Sequence, residues 1–348
     1  MKVRLLPLLV VVALLGGAAT AQAALKAIWG PNELADGRTA FPIYKRLGVD
    51  VLQEQLEWYK IATRRPANPR DPNDPAYVWP ANVDAAYAAG PRYGFRLALM
   101  IRGTPSWANS GRAPAWVPDD VGDYADFAVA AARRYTRVKH WMIWGEPSRQ
   151  ANFQPLPKHS KKGPRAYSRL LDRAYGALKT VRRSNVVIGG MTFHFGDVSA
   201  KDFMRWMRLP NGKPPRLDWY GHNPFTGRRP QLSKPVYYPG LRDMSDVDTY
   251  IREIRRHWRS RHVKPRLWLS EFCVASDRPN DAFAFHVSRR TQARWLTDAW
   301  KIADRHRYIT GFGWFNLQDG PDPDGITCGL LDQNGKPKPS YYAYKRAR

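Results

Sequence analysis

Cysteine is nearly missing from this 348-residue chain, which holds only Cys273 and Cys328. That excludes a scaffold stapled by several disulfides and a four-cysteine zinc site. Acidic residues are also few, 30 against 56 lysines and arginines, for a formal charge of +26. A field of that sign attracts polyanions at low salt. No zinc-finger, helix-turn-helix or RNA-binding motif accompanies the basic residues, which are spread along the chain in stretches such as 173–183 and 252–264. They read as solvated outer faces of helices; nucleic acid is not an expected partner, and an acidic glycan is the polyanion left open.

Long apolar runs are missing as well, with one exception. Residues 5–15 are apolar, follow Lys2 and Arg4, and give way to small residues closing on Ala-Gln-Ala. This is the pattern of a secretory signal peptide, expected to span residues 1–23 and to be cleaved near Ala23. The run is shorter than the roughly 20 residues a spanning helix needs, so no stable membrane insertion is expected. Without Lys2 and Arg4 the exported remainder, residues 24–348, would carry about +24. Nothing in the chain signals an oligomer.

What is present is alternation. Short runs rich in branched and aromatic residues occur at 26–30, 49–56, 96–101, 140–146, 186–190, 217–223, 266–272 and 309–317. Amphipathic stretches lie between them, at 83–93, 121–135, 164–183, 245–261 and 286–306, and residues 340–346 close the chain. This is the pattern of repeated βα units around a parallel sheet. Eight units of roughly 40 residues fill the whole of 24–348, which predicts an α/β fold, one (β/α)8 TIM barrel in a single domain. The proline-rich stretch 64–80 then falls in a rim loop after the second strand.

In such a barrel the reacting groups come from the carboxyl ends of strands. Glu146 ends the fourth candidate strand in Trp-Gly-Glu-Pro, and Glu271 ends the seventh in Leu-Trp-Leu-Ser-Glu-Phe. Strict alternation would put Glu146 on the side of Met142 and Trp144, and Glu271 on the side of Leu267 and Leu269. Two carboxyl groups about 5 Å apart form the apparatus of a retaining glycosidase. Mutual repulsion in a partly dry mouth would keep one protonated while the other is ionised.

Those motifs resemble the clan A glycoside hydrolases, whose fourth strand ends in Asn-Glu-Pro and whose seventh carries the nucleophile. Leu-Gly-Val-Asp-Val-Leu-Gln-Glu-Gln-Leu-Glu-Trp at 47–58, Gly-Thr-Pro-Ser-Trp-Ala at 103–108 and the closing stretch 329–344 agree in order and spacing. The last is similar to the β-xylosidase, α-iduronidase and endoglucanase-like branches. The resemblance implies that Glu146 is the acid/base and Glu271 the nucleophile. It also implies a cofactor-free retaining hydrolase of a polysaccharide or oligosaccharide, which the signal segment would make a secreted one. Two departures stand out: Gly145 replaces the asparagine that binds the sugar 2-hydroxyl, and Gln53 stands on the second strand where an arginine is usual. They leave open an alternative, a catalytically weak or inactive barrel that binds polysaccharide.

Fourteen tryptophans are more than a core usually needs. Flat aromatic faces suit the CH faces of sugars, and Trp58, Trp107, Trp144 and Trp314 lie at or just past strand ends; by resemblance Trp314 floors the central subsite. His222 and Asn223 end the sixth strand; by resemblance His222 stands where a His or Tyr touches nucleophile or substrate, a structural histidine being the alternative, and Asn223 could replace the missing amide. The loop 316–329 carries Asp319, Asp322 and Asp324, but their spacing fits no EF-hand and no metal is expected. Cys273 and Cys328 would share a rim if the seventh and eighth strands are neighbours, and could pair there; otherwise Cys273 is a small buried apolar residue and Cys328 is free.

Overall fold

A computed structural model describes residues 23–233, 238–279, 285–321, 323 and 325–347. The expected signal segment, apart from Ala23, and Asp322 and Asp324 lie outside the described residues. Eight strands form the centre: β1 (Leu25–Trp29), β2 (Val51–Glu57), β3 (Arg96–Arg102), β4 (His140–Ile143), β5 (Val186–Phe193), β6 (Trp219–Asn223), β7 (Arg266–Phe272) and β8 (Ile309–Phe315). They pair in parallel and close, β8 lying between β7 and β1. A main helix follows each strand in turn, the second preceded by a single helical turn at Trp58–Ile61: α1 (Phe41–Leu47), α2 (Ala81–Tyr93), α3 (Val121–Arg134), α4 (Lys162–Val181), α5 (Ala200–Trp206), α6 (Val247–His257), α7 (Arg289–Arg305) and α8 (Pro339–Arg346). This is the (β/α)8 barrel that the alternation predicts, and residues 64–80 do form a loop after β2.

Side chains sort into two layers because a strand points successive residues to opposite faces. The inner layer includes Ala27, Trp29, Val51, Ala98, Met100, Met142, Ile188, Met191 and Trp268. The outer faces of the strands pack on the helices in a larger cluster that includes Ile28, Leu52, Leu99, Ile143, Leu267, Leu269 and Phe312. Low in the interior, His140 stacks on Trp219 and Trp268 with ring centroids 5.2 and 5.7 Å apart. Burial pushes its pKa down to about 4, so this imidazole is a neutral packing group.

Helical amphipathicity explains how the outer ring holds. On α4, Ala166, Tyr167, Leu170, Leu171, Ala174 and Leu178 recur at three- and four-residue spacing and are all buried. Three helix tyrosines reach the barrel wall: Tyr124, Tyr167 and Tyr344 donate their hydroxyls to the carbonyls of Ile101, Ile143 and Ala27 at 2.7, 2.7 and 2.9 Å. Two of those bonds fix the ends of β3 and β4, from which mouth residues emerge.

Alternation breaks at two strand ends. Trp144 and Glu146 have positive φ, 64° and 44°, in the left-handed region that costs a non-glycine residue about 1–3 kcal/mol. The chain therefore turns after Ile143, so Trp144 goes outward with Ile143 instead of following Met142 inward. On β7 the register with β8 shifts between the Leu269 and Phe272 pairings. Leu267 and Leu269 face outward, contrary to strict alternation from Glu271, while Trp268 and Ser270 face inward. The irregularity lets Glu271 join Ser270 on the inner side before Phe272 returns to the outer cluster.

Candidate active site

Glu146 and Glu271 come together at the carboxyl end of the barrel. Glu146 is almost buried and fully engaged. Its Oε1 accepts from Asn223 Nδ2 at 2.9 Å. Its Oε2 accepts from Arg149 Nη1 at 2.9 Å and Asn152 Nδ2 at 3.2 Å. Three N–H donors, one a guanidinium, thus converge on this carboxyl. Arg149 is in turn laid over the Phe193 ring.

Glu271 has the opposite surroundings. Burial first, and then the negative charge of Glu146, push its carboxyl well above the usual range; Arg102, Arg149 and the Asn223 amide pull it partly back. The residue before it is firmly held. Ser270 carbonyl oxygen accepts from Gln53 Nε2 at 2.8 Å and from Trp29 Nε1 at 3.1 Å. Gln53 Oε1 receives Trp268 Nε1 at 3.1 Å and the Ser270 hydroxyl at 3.3 Å. So Gln53 positions the backbone leading to Glu271. The cation acting most strongly on that carboxyl is Arg102, from the end of β3, which donates to Gln55 Oε1 at 3.3 Å.

Gly145 has a steric reason. A Cβ there would stand 2.8 Å from Met100 Sδ inside the barrel, so an asparagine does not fit unless Met100 moves. Amides reach Glu146 from elsewhere, Asn223 on β6 and Asn152 in the loop after β4. Asn223 Oδ1 is buried without a protein partner, an acceptor open to a ligand hydroxyl.

The aromatic residues sort differently from the reading of strand ends. Trp58 is fully buried outside the barrel, edge-on to Trp107 and Tyr124 and stacked on Phe127. Trp107 is half-buried, donates to the Ala62 carbonyl at 2.7 Å and has the Arg65 guanidinium over its ring. Trp144 is buried in the outer layer and donates to the Asn152 carbonyl at 2.8 Å, helping to place an amide that holds Glu146. Trp314 is also fully buried in the outer layer, against Phe272, with its N–H on the Cys328 carbonyl. A sugar cannot stack on Trp58, Trp144 or Trp314 while they are buried there. On β8 the inward residues are Gly311, Gly313 and then Phe315, which is half-buried against the inner layer. The aromatic at that strand's mouth is thus Phe315, one position past Trp314.

His222 points outward too. Its Nδ1 meets Thr192 Oγ1 at 2.9 Å, its Nε2 meets the Arg242 carbonyl at 2.7 Å, and burial takes its pKa down to about 4. It is a neutral part of the β5–β6–α6 packing, and Asn223, the next residue, takes the mouth.

Cys273 and Cys328 are bonded, with Cα atoms 5.7 Å apart and a sequence separation of 55. The bridge ties the end of β7 to the loop after β8. Closing a loop of that length stabilises by about 2–4 kcal/mol, mainly by restricting the unfolded chain. Replacing both cysteines with alanine is expected to lower stability by that amount in a denaturant titration; an unchanged midpoint would contradict it. The same loop holds Asp319, which is not a free oxygen ligand: it is occupied by buried Lys338 and the Gly329 amide. Among the described residues no three His, Cys, Asp or Glu side chains converge as a metal site would require.

No protein-family model matches the chain, and no curated protein matches it in sequence. Solved structures do match in shape. A family 39 glycoside hydrolase from Bacteroides cellulosilyticus superposes with a TM-score of 0.66 at 18% identity, covering 93% of this chain and 63% of that one. A glucosidase from Croceicoccus marinus gives 0.66 at 16%, covering 93% and 65%. A monomeric β-xylosidase from Caulobacter crescentus gives 0.61 at 16%, covering 92% and 67%. The chain spans just under two thirds of the length of the first two. The likeness is one of fold: this chain shares the barrel of these glycosidases.

Proposed function

We propose that the chain is a glycoside hydrolase that cleaves O-glycosidic bonds of a glycan or glycoside by double displacement. The observation that carries this reading is the pair itself. Two glutamates from the ends of β4 and β7 share one mouth, close enough for the charge of one to raise the carboxyl of the other, with the Asn223 amide acting on both. Hydrolysis with retention needs a carboxyl pair at short separation, one group ionised and one protonated. The fold likeness to glycosidases supports it further.

In the productive complex Glu271 attacks the anomeric carbon and Glu146 protonates the leaving oxygen. The resting site is set the other way: Glu146 is charge-paired and Glu271 is driven toward its protonated form. Substrate binding that draws Arg149 off Glu146 would free that carboxyl to serve as the acid. The Arg149 side chain is 43% exposed, so it has room to swing. The same observation favours a second reading with the roles exchanged, Glu146 as nucleophile and Glu271 as acid.

Arg102 offers a pH test. On the leading reading the acidic limb of kcat/KM reports ionisation of Glu271 in the free enzyme. Arg102 favours the charged form, so Arg102→Met raises the Glu271 pKa further and moves that limb to higher pH. With the roles exchanged, the basic limb moves up instead, because Glu271 then has to hold its proton. A pH–rate profile that does not move would contradict the placement of Arg102 beside this carboxyl. Turnover itself is tested by screening aryl glycosides and polysaccharides. Export, read from residues 1–23, is tested by N-terminal sequencing of protein recovered outside the cell, with Ala24 expected first.

A further inference from the structure

The outer wall of the barrel beside β4 carries a second concentration of charge. Lys161, Arg165, Arg169 and Arg173 recur at every fourth residue into and along α4, and all four are exposed. Four residues of helix advance about 6 Å and turn about 40°, so the cations form a winding ladder roughly 18 Å long, whose last member, Arg173, lines a separate groove with Arg182 and Arg216. It starts on the mouth side, because a barrel helix runs back antiparallel to the strand before it.

A merely solvated helix face usually mixes signs at three- and four-residue spacing. This one does not. Asp172, the single carboxylate of α4, is turned to Arg216 and Arg261 at 2.7 and 3.8 Å. Among the described residues, the Arg165, Arg169 and Arg173 guanidinium groups have no ion-pair or hydrogen-bond partner.

Alongside the ladder runs a groove of about 610 Å³, walled by Lys161, Arg165, Arg169, Arg205 and Arg208 with no carboxylate in its lining. Arg205 is 4.0 Å from Asp202, and Arg208 bonds the Gly212 carbonyl and His257, which burial keeps neutral with a pKa of about 4. Half-buried Trp206 lies in the same groove, followed by aliphatic Leu209 and Pro210. One indole face beside a row of guanidinium groups fits a sugar ring bearing anionic substituents, the ring on Trp206 and the anions on the arginines. A single-stranded nucleic acid track would present several stacking rings in succession along the basic row.

We propose that the α4 ladder and the Trp206 groove form a binding site for acidic polysaccharide, separate from the carboxylate pair. The site does not depend on hydrolysis, since it shares no residue with the mouth. It would hold an anionic chain on the wall of the barrel, beginning near the rim.

The test is calorimetric titration of the full chain with polygalacturonate and dextran sulfate. Neutral dextran and a single-stranded oligonucleotide serve as comparisons, and each ligand is run at low and high salt. Both acidic glycans are expected to bind, salt-sensitively, and neutral dextran is not. The triple variant Arg165→Glu, Arg169→Glu, Arg173→Glu and the single variant Trp206→Ala are each expected to weaken glycan binding about tenfold or more. The corresponding triple arginine-to-lysine variant, which keeps the charge, retains most of it, and Glu271→Gln leaves it unchanged. Circular dichroism of each variant confirms the fold. Acidic-glycan affinity that survives both the charge reversal and Trp206→Ala would overturn the proposal. So would equal binding of neutral dextran, or tighter binding of the oligonucleotide through the same residues, which would make this a nucleic-acid surface.

Discussion

Glu271→Gln is expected to lower kcat/KM on any glycoside the wild type cleaves by at least about 10³-fold. Glu146→Gln is expected to cost about 10²–10⁴-fold, the usual contribution of a positioned general acid. The difference follows from the chemistry. An amide at position 271 cannot form the glycosyl ester, so double displacement stops. An amide at position 146 withholds one proton, and a substrate with an acidic phenol as leaving group needs that proton little. Glu146→Gln should therefore spare activated aryl glycosides relative to natural ones, whereas Glu271→Gln should spare neither. Both substitutions keep side-chain volume, and at position 146 the amide oxygen can still accept from Arg149 and Asn152, so the fold should be retained. Turnover undiminished in both variants would remove the carboxylates from the mechanism. Wild-type glycan binding with no turnover on any bound ligand would mark a binding barrel instead.

The second large effect is on stability. Lys338 is wholly buried, its ammonium bonded to both oxygens of Asp319 at 3.0 and 2.9 Å, to Ser276 Oγ at 3.0 Å and to the Thr327 carbonyl at 3.3 Å. It knits the segment before α8 to the loop after β8 and to the chain following β7. Lys338→Ala would strand a buried carboxylate and is expected to cost about 3–5 kcal/mol. Pairing it with Asp319→Asn should recover much of the loss, since the stranded charge goes with it. The pH dependence has a definite sign. Burial already raises the Asp319 pKa, and Lys338 opposes that rise. Without the lysine the folded pKa lies further above the unfolded one. The penalty is then absent below the unfolded value and grows as pH rises through the folded value. The deficit of Lys338→Ala should thus be largest at neutral pH and shrink toward acid. A variant as stable as the wild type, or a deficit that grows on acidification, would contradict the burial of this pair.

The barrel was legible because alternating strand and helix patterns are a one-dimensional signal, and the eight strands fall within a few residues of the apolar runs. The two glutamates were legible for a related reason, each being an acid at the end of an apolar strand. Their inward orientation was not a matter of alternation. It depends on the positive φ values around Glu146 and the shifted register of β7, local departures that no period of two encodes. The same departures misdirect the reading of the tryptophans. Trp144 turns outward with the chain, and Trp314 lies on the outer face of β8 with Phe312, which leaves Phe315 for the mouth. Parity counted along β8 from its two inward glycines would have found Phe315. His222 and Asn223 differ by one position and so by one face of β6. Arg102 and Arg149 came unannounced, since one more arginine among so many basic residues carries no sequence signal. Only the three-dimensional placement separates these two, whose charges act on the pair, from those on the outer wall.

The most direct test of the central claim is to trap the intermediate. The wild type would be incubated with a panel of 2-deoxy-2-fluoro glycosides bearing good leaving groups, and the intact mass and then the labelled peptide determined by mass spectrometry. The expected result is a mass increase of one fluoroglycosyl unit, located on Glu271 and absent from Glu271→Gln. A label on Glu146 would reverse the roles of the two carboxylates. Hydrolysis of the matching glycosides with inversion at the anomeric carbon and no adduct would contradict the double displacement itself.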